Sequence, residues 1–536
     1  MSPSDGGDMG TTAVFKSYRQ HQPTFLPPSL DELIPPKHLV RVISRAIDEM
    51  DLRALARTYG GRGASSYHPV MLLKVLVYSY TQKIFTTRPI EKAIQENLYC
   101  KWLAGGNRPD HRTISRFRSQ RLKGLLEKVF AAMAEMLLDA GLIRLEDCFV
   151  DGTKIEANAN KYSFVWKKSV KKNKAKLQKK VKDLFTQIDQ LQEKEDLEYG
   201  DRSLEEMGQD STITPEMIRQ RMKKLNEELR KRQPKDKKAL RRLQKARQTL
   251  EKDCLVRLQR YRQQEKTFGS RNSFSKTDPT ATFMRMKDDH MRNGQLKPAY
   301  NVQVATENRY VLHVSMHHNT TDTSTLKKHL AGLRRVTGRN PKRLIADAGY
   351  GSLENYQYLK RKKIEAFVKY NTFDKETTRA YRKNVFDPER FPYDPKQDHN
   401  LCPVDKPMTY VADETQRTST GYRTTYRVYE AENCTDCPLR TQCHRSTFNR
   451  RIKVNALLRR HKAVVRERLN SPLGLELRRR RLVEPETVFA QTKHNLGFRR
   501  FSLRGTDKVT TEYGLVAFAH NMINLSNDPR RLQAIS

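Results

Sequence analysis

The fold is decided by one stretch, Lys342-Arg343-Leu344-Ile345-Ala346-Asp347-Ala348-Gly349-Tyr350-Gly351. A short apolar run ends there in a single carboxylate, Asp347, and two glycines follow within four residues. The run predicts a buried strand, and the glycines predict that the backbone turns away directly after it. Ser352 can then cap a helix that begins at Leu353. Ligands of open α/β sheets bind at the carboxyl ends of strands, so Asp347 is a candidate site residue, although Asp and Gly are also ordinary turn residues.

A second stretch has the same design. In Cys148-Phe149-Val150-Asp151-Gly152-Thr153, an apolar run again leads into an Asp-Gly pair. The two strands can belong to one sheet and bring Asp151 and Asp347 together at its edge. Paired carboxylates suit Mg²⁺ or Mn²⁺, and two such ions about 3.5–4 Å apart can act on the attacking and leaving oxygens of a phosphodiester. The sequence therefore predicts a metal site that a third acid would complete.

Composition narrows the class of partner. The 536 residues carry a formal net charge of +42, which predicts binding to a polyanion such as nucleic acid. Hydrophobic residues make up 37% of the chain, enough for several cores, and the length predicts about three or four domains. The first ten residues are polar and lack the apolar core of a signal peptide, and the seven cysteines indicate a reduced, cytoplasmic compartment. We expect no membrane partner.

The region 1–142 is predicted to be all-helical and to bind DNA. Its central helix should begin at Pro69 and be apolar on nearly every face. After a Gly-rich turn, Asp110 can cap a short helix that carries Arg112, Arg116 and Arg118, side chains that suit phosphates and base edges. Two interpretations remain open for this helix: a helix-turn-helix reader of DNA, or a basic surface helix of a bundle.

The next segments predict a mixed sheet that is interrupted by an insertion. Residues 143–166 and 268–370 predict strand, hairpin, helix, strand, helix and strand, an α/β order with helices on the faces of the sheet. Asp322 can cap the helix from Thr323 to Arg335. The intervening residues 167–267 are highly charged, with apolar residues in four-three alternation that predicts an antiparallel coiled-coil hairpin. Residues 199–213 lack the period and would reverse the chain.

A turn-rich insertion is predicted for residues 371–453. It contains four cysteines, Cys402, Cys434, Cys437 and Cys443, and the two-residue gap between Cys434 and Cys437 is typical of a zinc knuckle. One structural Zn²⁺ is one interpretation, with His444 able to replace a cysteine. Unliganded thiols in a loop are the other.

The last segment, 454–536, is predicted to form basic helices that complete the sheet domain. Arg480 and Arg481 precede two acids, Glu484 and Glu486. This arrangement can hold phosphates near a metal, but ion pairs on a surface helix would also explain it. The basic residues proposed to bind DNA phosphate in this segment are Arg480, Arg481, Lys493, Arg499, Arg500 and Arg504.

Several short motifs in a fixed order resemble a bacterial insertion-sequence transposase of the DDE class, in the group with a long helical N-terminal region. They are Tyr67-His68-Pro69-Val70, Pro109-Asp110-His111-Arg112, Val150-Asp151-Gly152-Thr153-Lys154, Tyr300-Asn301-Val302-Gln303, Ala346-Asp347-Ala348-Gly349-Tyr350, Glu486-Thr487-Val488-Phe489 and Gly497-Phe498-Arg499-Arg500-Phe501. The resemblance implies a ribonuclease H-like core in which Asp151, Asp347 and Glu486 are catalytic and bind two Mg²⁺ or Mn²⁺ ions.

The identity of the third acid rests on spacing within the resemblance. The family places a phenylalanine three residues, and a basic residue seven residues, after its glutamate, which selects Glu486 through Phe489 and Lys493. Glu484 fits only a related motif that has an arginine four residues before the acid, here Arg480. Glu486 is the preferred assignment.

The resemblance further implies metal-dependent cleavage and transfer of DNA strands. The double-stranded substrate would be the terminal inverted repeats of an insertion sequence together with target DNA, bound by a homodimer at the bacterial nucleoid. Two alternatives remain open: a non-catalytic DNA-binding repressor derived from a transposase, and a metal-dependent nuclease without strand transfer.

Overall fold

The computed structural model describes residues 29–59, 66–199, 213–231, 237–286, 295–418 and 420–528. The helices are α1 (Leu39–Glu49), α2 (Arg53–Ala56), α3 (Pro69–Thr81), α4 (Thr87–Glu96), α5 (Leu98–Leu103), α6 (His111–Arg116), α7 (Leu126–Asp139), α8 (Lys167–Tyr199), α9 (Pro215–Lys231), α10 (Lys237–Thr249), α11 (Val256–Phe268), α12 (Leu326–Thr337), α13 (Leu353–Arg361), α14 (Arg379–Lys383), α15 (Arg440–Cys443), α16 (Ala456–Asn470), α17 (Pro472–Arg481), α18 (Glu484–Ala490) and α19 (Thr506–Asn527). The strands are β1 (Asp147–Glu156), β2 (Phe164–Trp166), β3 (Ser273–Ser275), β4 (Thr282–Arg285), β5 (Leu296–Glu307), β6 (Tyr310–His317), β7 (Arg343–Ala346), β8 (Glu365–Val368), β9 (Tyr393–Asp394), β10 (His399–Leu401), β11 (Pro407–Arg417), β12 (Arg423–Ala431) and β13 (Arg451–Val454).

A six-stranded mixed sheet holds the candidate site. Its order is β4-β5-β1-β7-β8. The short strand β4 pairs with the first part of β5, residues 296–299, and β6 pairs with the rest of β5, residues 301–307. β1, β5 and β6 form an antiparallel set, whereas β7 and β8 run parallel to β1. This confirms the coarse prediction of an α/β domain with a mixed sheet and helices.

The N-terminal helices share one hydrophobic core with this sheet. α3 begins at Pro69 as predicted, and residues on nearly all its faces are buried because it packs against α1, α5 and α19. α19 in turn packs against β6, so its apolar residues join the helical region to the sheet. The prediction that the C-terminal segment consists of basic helices is wrong for α19, since most of its length is buried and apolar.

The highly charged insertion has a separate core. Leu177, Val181 and Ile188 of α8, at positions of the predicted four-three alternation, are buried against residues of α9 to α11. The antiparallel pair β2–β3 joins the two ends of this insertion. The predicted reversal at residues 199–213 lies almost entirely outside the described residues.

The region 371–453, which is predicted to be rich in turns, also contains a sheet. β9 to β13 form a five-stranded antiparallel sheet in the order β13-β12-β11-β10-β9, with a small core that includes Met408, Tyr429 and Ile452. Eight of the eleven residues of β11 are exposed, so this strand lacks the alternation of a half-buried strand. None of the described helices has the length and apolar character needed to cross a membrane.

Candidate active site

Two carboxylates meet at the carboxyl end of β7. β1 and β7 are parallel with Val150 beside Ala346, so Asp151 and Asp347 follow at the same level of the sheet. In each, Oδ2 lies 3.4 Å from the same nitrogen, Nη2 of Arg481. The two oxygens are therefore at most twice 3.4 Å, or 6.8 Å, apart. The structure thus brings together the two aspartates that the sequence predicted to meet.

This pair has the chemistry of a cation site. The side chains of Arg481 and Asp151 are only 12% and 14% exposed, whereas that of Asp347 is 52% exposed. One guanidinium stands between two carboxylates, so a cation is already stabilised at this point, and carboxylate oxygens are ligands that a hard divalent ion prefers. In the described parts of the chain, no three His, Cys, Asp or Glu side chains are grouped to hold an ion as they stand.

Four polar side chains cross the sheet beside this pair, and we call them the polar clamp: Asn301, Gln303, Asp322 and Tyr350. The carboxylate Oδ1 of Asp322 accepts from Nδ2 of Asn301 at 2.7 Å and from Nε2 of Gln303 at 2.8 Å. The Tyr350 hydroxyl donates to Oε1 of Gln303. Burial raises the pKa of Tyr350 well above its usual value, with the carboxylates of Asp322 and Asp151 acting in the same direction. Tyr350 therefore remains a donor.

The predicted helix cap at Asp322 is wrong. α12 begins at Leu326 rather than Thr323, and its N-cap residue is Thr325. The Asp322 side chain instead serves the polar clamp, because two amide donors from β5 take one of its oxygens. The clamp was missed because its members lie far apart in sequence, although two polar residues at alternate positions of the buried β5 were a signal.

Glu484 lies beside the beginning of β1, whereas Asp151 is in the middle of that strand. It is 7% exposed, accepts from the backbone N–H of Arg309 at 2.5 Å and lies 3.7 Å from Arg480. Arg480 also donates to Asp147 at 2.8 Å. Burial raises the pKa of Glu484. Asp147, which Glu484 reaches through Arg480, precedes Asp151 by four strand residues, roughly 13 Å along β1.

Glu486 occupies the first turn of α18 and is exposed. Two helical positions separate it from Glu484, about 200° around the helix, so the two glutamates face different directions. α18 packs against β1 and β5. The structure does not group Glu486 with Asp151 and Asp347 into a closed cluster.

The basic residues predicted to bind phosphate fall into three groups, the first of which is Arg481 alone, between Asp151 and Asp347. In the second group, Arg480 is engaged by Asp147 and Glu484, Lys493 is 7% exposed, and Arg118 is 4% exposed with hydrogen bonds to Tyr80 and Phe85. The exposed residues are Arg112 and Arg116 on α6, and Arg499, Arg500 and Arg504 near the far end of β1.

The four late cysteines line one small cavity of the β9–β13 domain. Cys402, Cys434, Cys437, Cys443 and His444 all contribute to its wall. The cysteines are free, and Nη1 of Arg450 lies 2.6 Å from the sulfur of Cys443. Both ring nitrogens of His444 are shielded from solvent without a hydrogen-bond partner. The thiols therefore share a cavity but do not surround a common point in the described structure.

Two family models match the chain. Residues 401–526 match the transposase DDE domain, and residues 28–120 match the transposase domain (DUF772). The first match includes Glu484 and Glu486 but begins after Asp151 and Asp347. No match was found among curated proteins or among solved structures. Together the two matches support an insertion-sequence transposase of the DDE class.

Proposed function

We propose that this transposase binds the ends of its insertion sequence and cuts and transfers DNA strands at a site built from Asp151, Asp347 and Glu486. The observation that carries the proposal is that Asp151 and Asp347 follow paired residues of neighbouring strands, and that the guanidinium of Arg481 contacts both carboxylates. The formal net charge of +42 supports DNA as the substrate, because DNA is a polyanion whose phosphates attract positive charge.

The strand order supports a ribonuclease H-like core for this site. An antiparallel set, β6-β5-β1, is followed by the parallel strands β7 and β8, and α12 and α13 make the connections. Asp151 lies on the central strand β1 and Asp347 directly follows its parallel neighbour β7, and this placement supports the proposed core.

The residues at the pair fit Mg²⁺ or Mn²⁺, because both are carboxylates, the oxygen ligands that these ions prefer, and the positive charge of Arg481 lies between them. When bound, two such ions activate the attacking oxygen and stabilise the leaving oxygen of a phosphodiester. Asp151, Asp347 and Glu486 would hold the ions. Arg481 would then exchange its carboxylate partners for DNA phosphate, a role that its planar guanidinium suits.

Glu486 rather than Glu484 is proposed as the third acid. Glu484 is buried at the beginning of β1, where the Arg309 N–H and Arg480 already use its oxygens. Glu486 is exposed. We expect Glu486→Gln to abolish strand cleavage with unchanged stability, and Glu484→Gln to lower stability while cleavage by the folded protein persists. The opposite pattern would move the site to Glu484.

DNA recognition is proposed to extend over two exposed basic surfaces. Arg112 and Arg116 lie four residues apart on α6 and so share a face of that helix. Arg499, Arg500 and Arg504 lie around the carboxyl end of β1 and would contact phosphate there. Because two ends must be joined, a homodimer on DNA is proposed, at the bacterial nucleoid.

The deciding experiment measures strand cleavage on a labelled duplex that contains the DNA flanking the gene, with Mg²⁺ or Mn²⁺. Cuts at defined ends by the wild type and none by Asp347→Asn, which should still bind the duplex, support the proposal. Joining of the cut ends to a second duplex separates a transposase from a nuclease. Binding without cleavage by either protein would favour the repressor.

One structural Zn²⁺ is also proposed, in the cavity lined by Cys402, Cys434, Cys437 and Cys443. Burial and the neighbouring Arg440 and Arg450 lower the pKa of His444, so its imidazole is neutral, the form that binds metals. Two unpartnered ring nitrogens beside four thiols suit zinc chemistry.

The zinc proposal has a simple measurement. Protein purified without chelator should contain about one zinc per chain, a single structural site. Cys437→Ser should lose the metal, whereas Cys254→Ser, which changes a buried cysteine of the separate helical insertion, should retain it. Equal zinc content in the two variants would refute this site.

A further inference from the structure

We propose that the polar clamp of Asn301, Gln303, Asp322 and Tyr350 is a positioning device that sets the separation of Asp151 and Asp347. This inference rests on the proposed function, because it concerns how the same carboxylates are presented to metal ions. None of the four residues was among the predicted catalytic residues, and none need contact DNA or metal to act.

The clamp connects three separate parts of the sheet edge. Asn301 and Gln303 belong to β5, Asp322 follows β6, and Tyr350 ends the turn that begins at Asp347. Gln303 pairs directly with Gly152, the residue after Asp151. The Gln303–Tyr350 hydrogen bond therefore passes over β1 and ties the turn after Asp347 to the strand on the far side of Asp151.

Gly152 leaves open the space through which this connection passes. A Cβ at position 152 would collide with Nε2 of Gln303 and lie 2.8 Å from Oδ1 of Asp322. A Cβ at Gly349 would lie 3.7 Å from Oδ2 of Asp322. The carboxylate of Asp322 is thus packed between the two glycines that follow the two candidate catalytic aspartates.

The direction of every hydrogen bond in the clamp follows from Asp322. Oδ1 of Asp322 accepts from the amide of Gln303, so Nε2 of Gln303 faces Asp322 and Oε1 faces the Tyr350 hydroxyl. A second acceptor, Oδ1 of Asn301, lies 2.8 Å from the same Nε2 and enforces the same orientation. The network therefore has one arrangement, which is what a device that fixes a distance requires.

Residues that orient metal ligands typically change metal affinity by about 10–100-fold when they are altered. Tyr350→Phe removes only the hydroxyl that donates to Gln303. Its matched control is Tyr356→Phe, which removes the hydroxyl of another buried tyrosine that donates to the Val368 carbonyl at 3.0 Å, outside the clamp. Both variants lose one hydrogen bond, so they should be destabilised to a similar extent.

The measurement is Mn²⁺ binding to the full-length protein without DNA, followed by electron paramagnetic resonance, with unfolding curves beside it. We expect Tyr350→Phe to raise the half-saturating Mn²⁺ concentration about tenfold and Tyr356→Phe to leave it within about twofold. Adding Asp322→Asn to Tyr350→Phe should cause little further change, because both act through Gln303.

Equal half-saturating Mn²⁺ concentrations for the two tyrosine variants would overturn the clamp inference. So would a double variant whose fold-change in that concentration equals the product of the fold-changes of Asp322→Asn and Tyr350→Phe. The proposed function is tested separately by Asp347→Asn in the same titration. If that variant binds Mn²⁺ as the wild type does, the proposed metal site fails whatever the clamp variants show. If it loses binding while Tyr350→Phe matches Tyr356→Phe, only the clamp inference fails.

Discussion

Replacement of Arg481 by Gln should make the stability of this transposase depend on divalent metal. Arg481 holds Oδ2 of Asp151 and of Asp347 each 3.4 Å from one nitrogen, so these oxygens are at most 6.8 Å apart. At an effective dielectric constant of about 20, two such charges repel by at least about 2.4 kcal/mol. Since Asp347 is 52% exposed, solvent screening reduces this to roughly 1–2 kcal/mol.

We therefore expect Arg481→Gln to lower the free energy of unfolding by about 1–2 kcal/mol in chelator, and Mg²⁺ to restore most of that loss. The assay is denaturant unfolding with chelator or with saturating Mg²⁺. Arg479→Gln is the control, since Arg479 is exposed on the same helix and should change stability by less than about 0.5 kcal/mol. An equal loss for Arg481→Gln with and without Mg²⁺ would refute the exchange of guanidinium for metal.

Three further predictions concern the scaffold. Burial lowers the pKa of His313 and of His520 to about 4, whereas the pKa in the unfolded chain is near 6.5. These two histidines therefore contribute stability above pH 6.5, and that stability is lost as the pH falls towards 4. Unfolding curves should show up to roughly 3 kcal/mol lost per histidine, and stability that stays flat over this range would contradict it. The Glu307 carboxylate accepts hydrogen bonds from the backbone N–H groups of residues 144 to 147. Glu307→Gln should lower the free energy of unfolding, measured with denaturant, by roughly 1–3 kcal/mol for each N–H left without an acceptor. A Cβ at Gly332 would collide with the His313 ring, so Gly332→Ala should lower the melting temperature, with a cost of about 1–3 kcal/mol, and an unchanged melting temperature would disprove the close packing.

The sequence could predict the parts of the site that depend on residues close together in the chain. Asp151 and Asp347 each end or follow an apolar run, and a buried strand is the simplest structure for such a run. Their meeting then depends only on β1 and β7 being neighbours. The Ser352 cap of α13 is equally local, since its hydroxyl accepts from the Asn355 N–H three residues later.

The parts that sequence could not predict depend on partners far along the chain. Asp322 has the residue type and position of a helix cap, yet its oxygen is used by amides from β5, so tertiary contact outweighs the local preference. Arg118 lies in a basic stretch that suggests a DNA-binding surface, but its guanidinium is buried against Tyr80 and Phe85. Charge alone does not reveal which arginines face solvent.

Two adjacent arginines at the end of α17 show what separates a permanent ion pair from an exchangeable one. Arg480 joins Asp147 and Glu484, whose side chains are 11% and 9% exposed. Removing Arg480 would leave Asp147 with Arg343 and Glu484 with the Arg309 N–H, two shielded carboxylates that have lost their common cation. Arg481 joins Asp151 and Asp347, and the 52% exposure of Asp347 leaves one side of that pair open to solvent. An incoming ion can therefore replace Arg481 without first burying a charge. Arg480 stays in place because its removal would leave buried carboxylates without their common cation, which costs free energy.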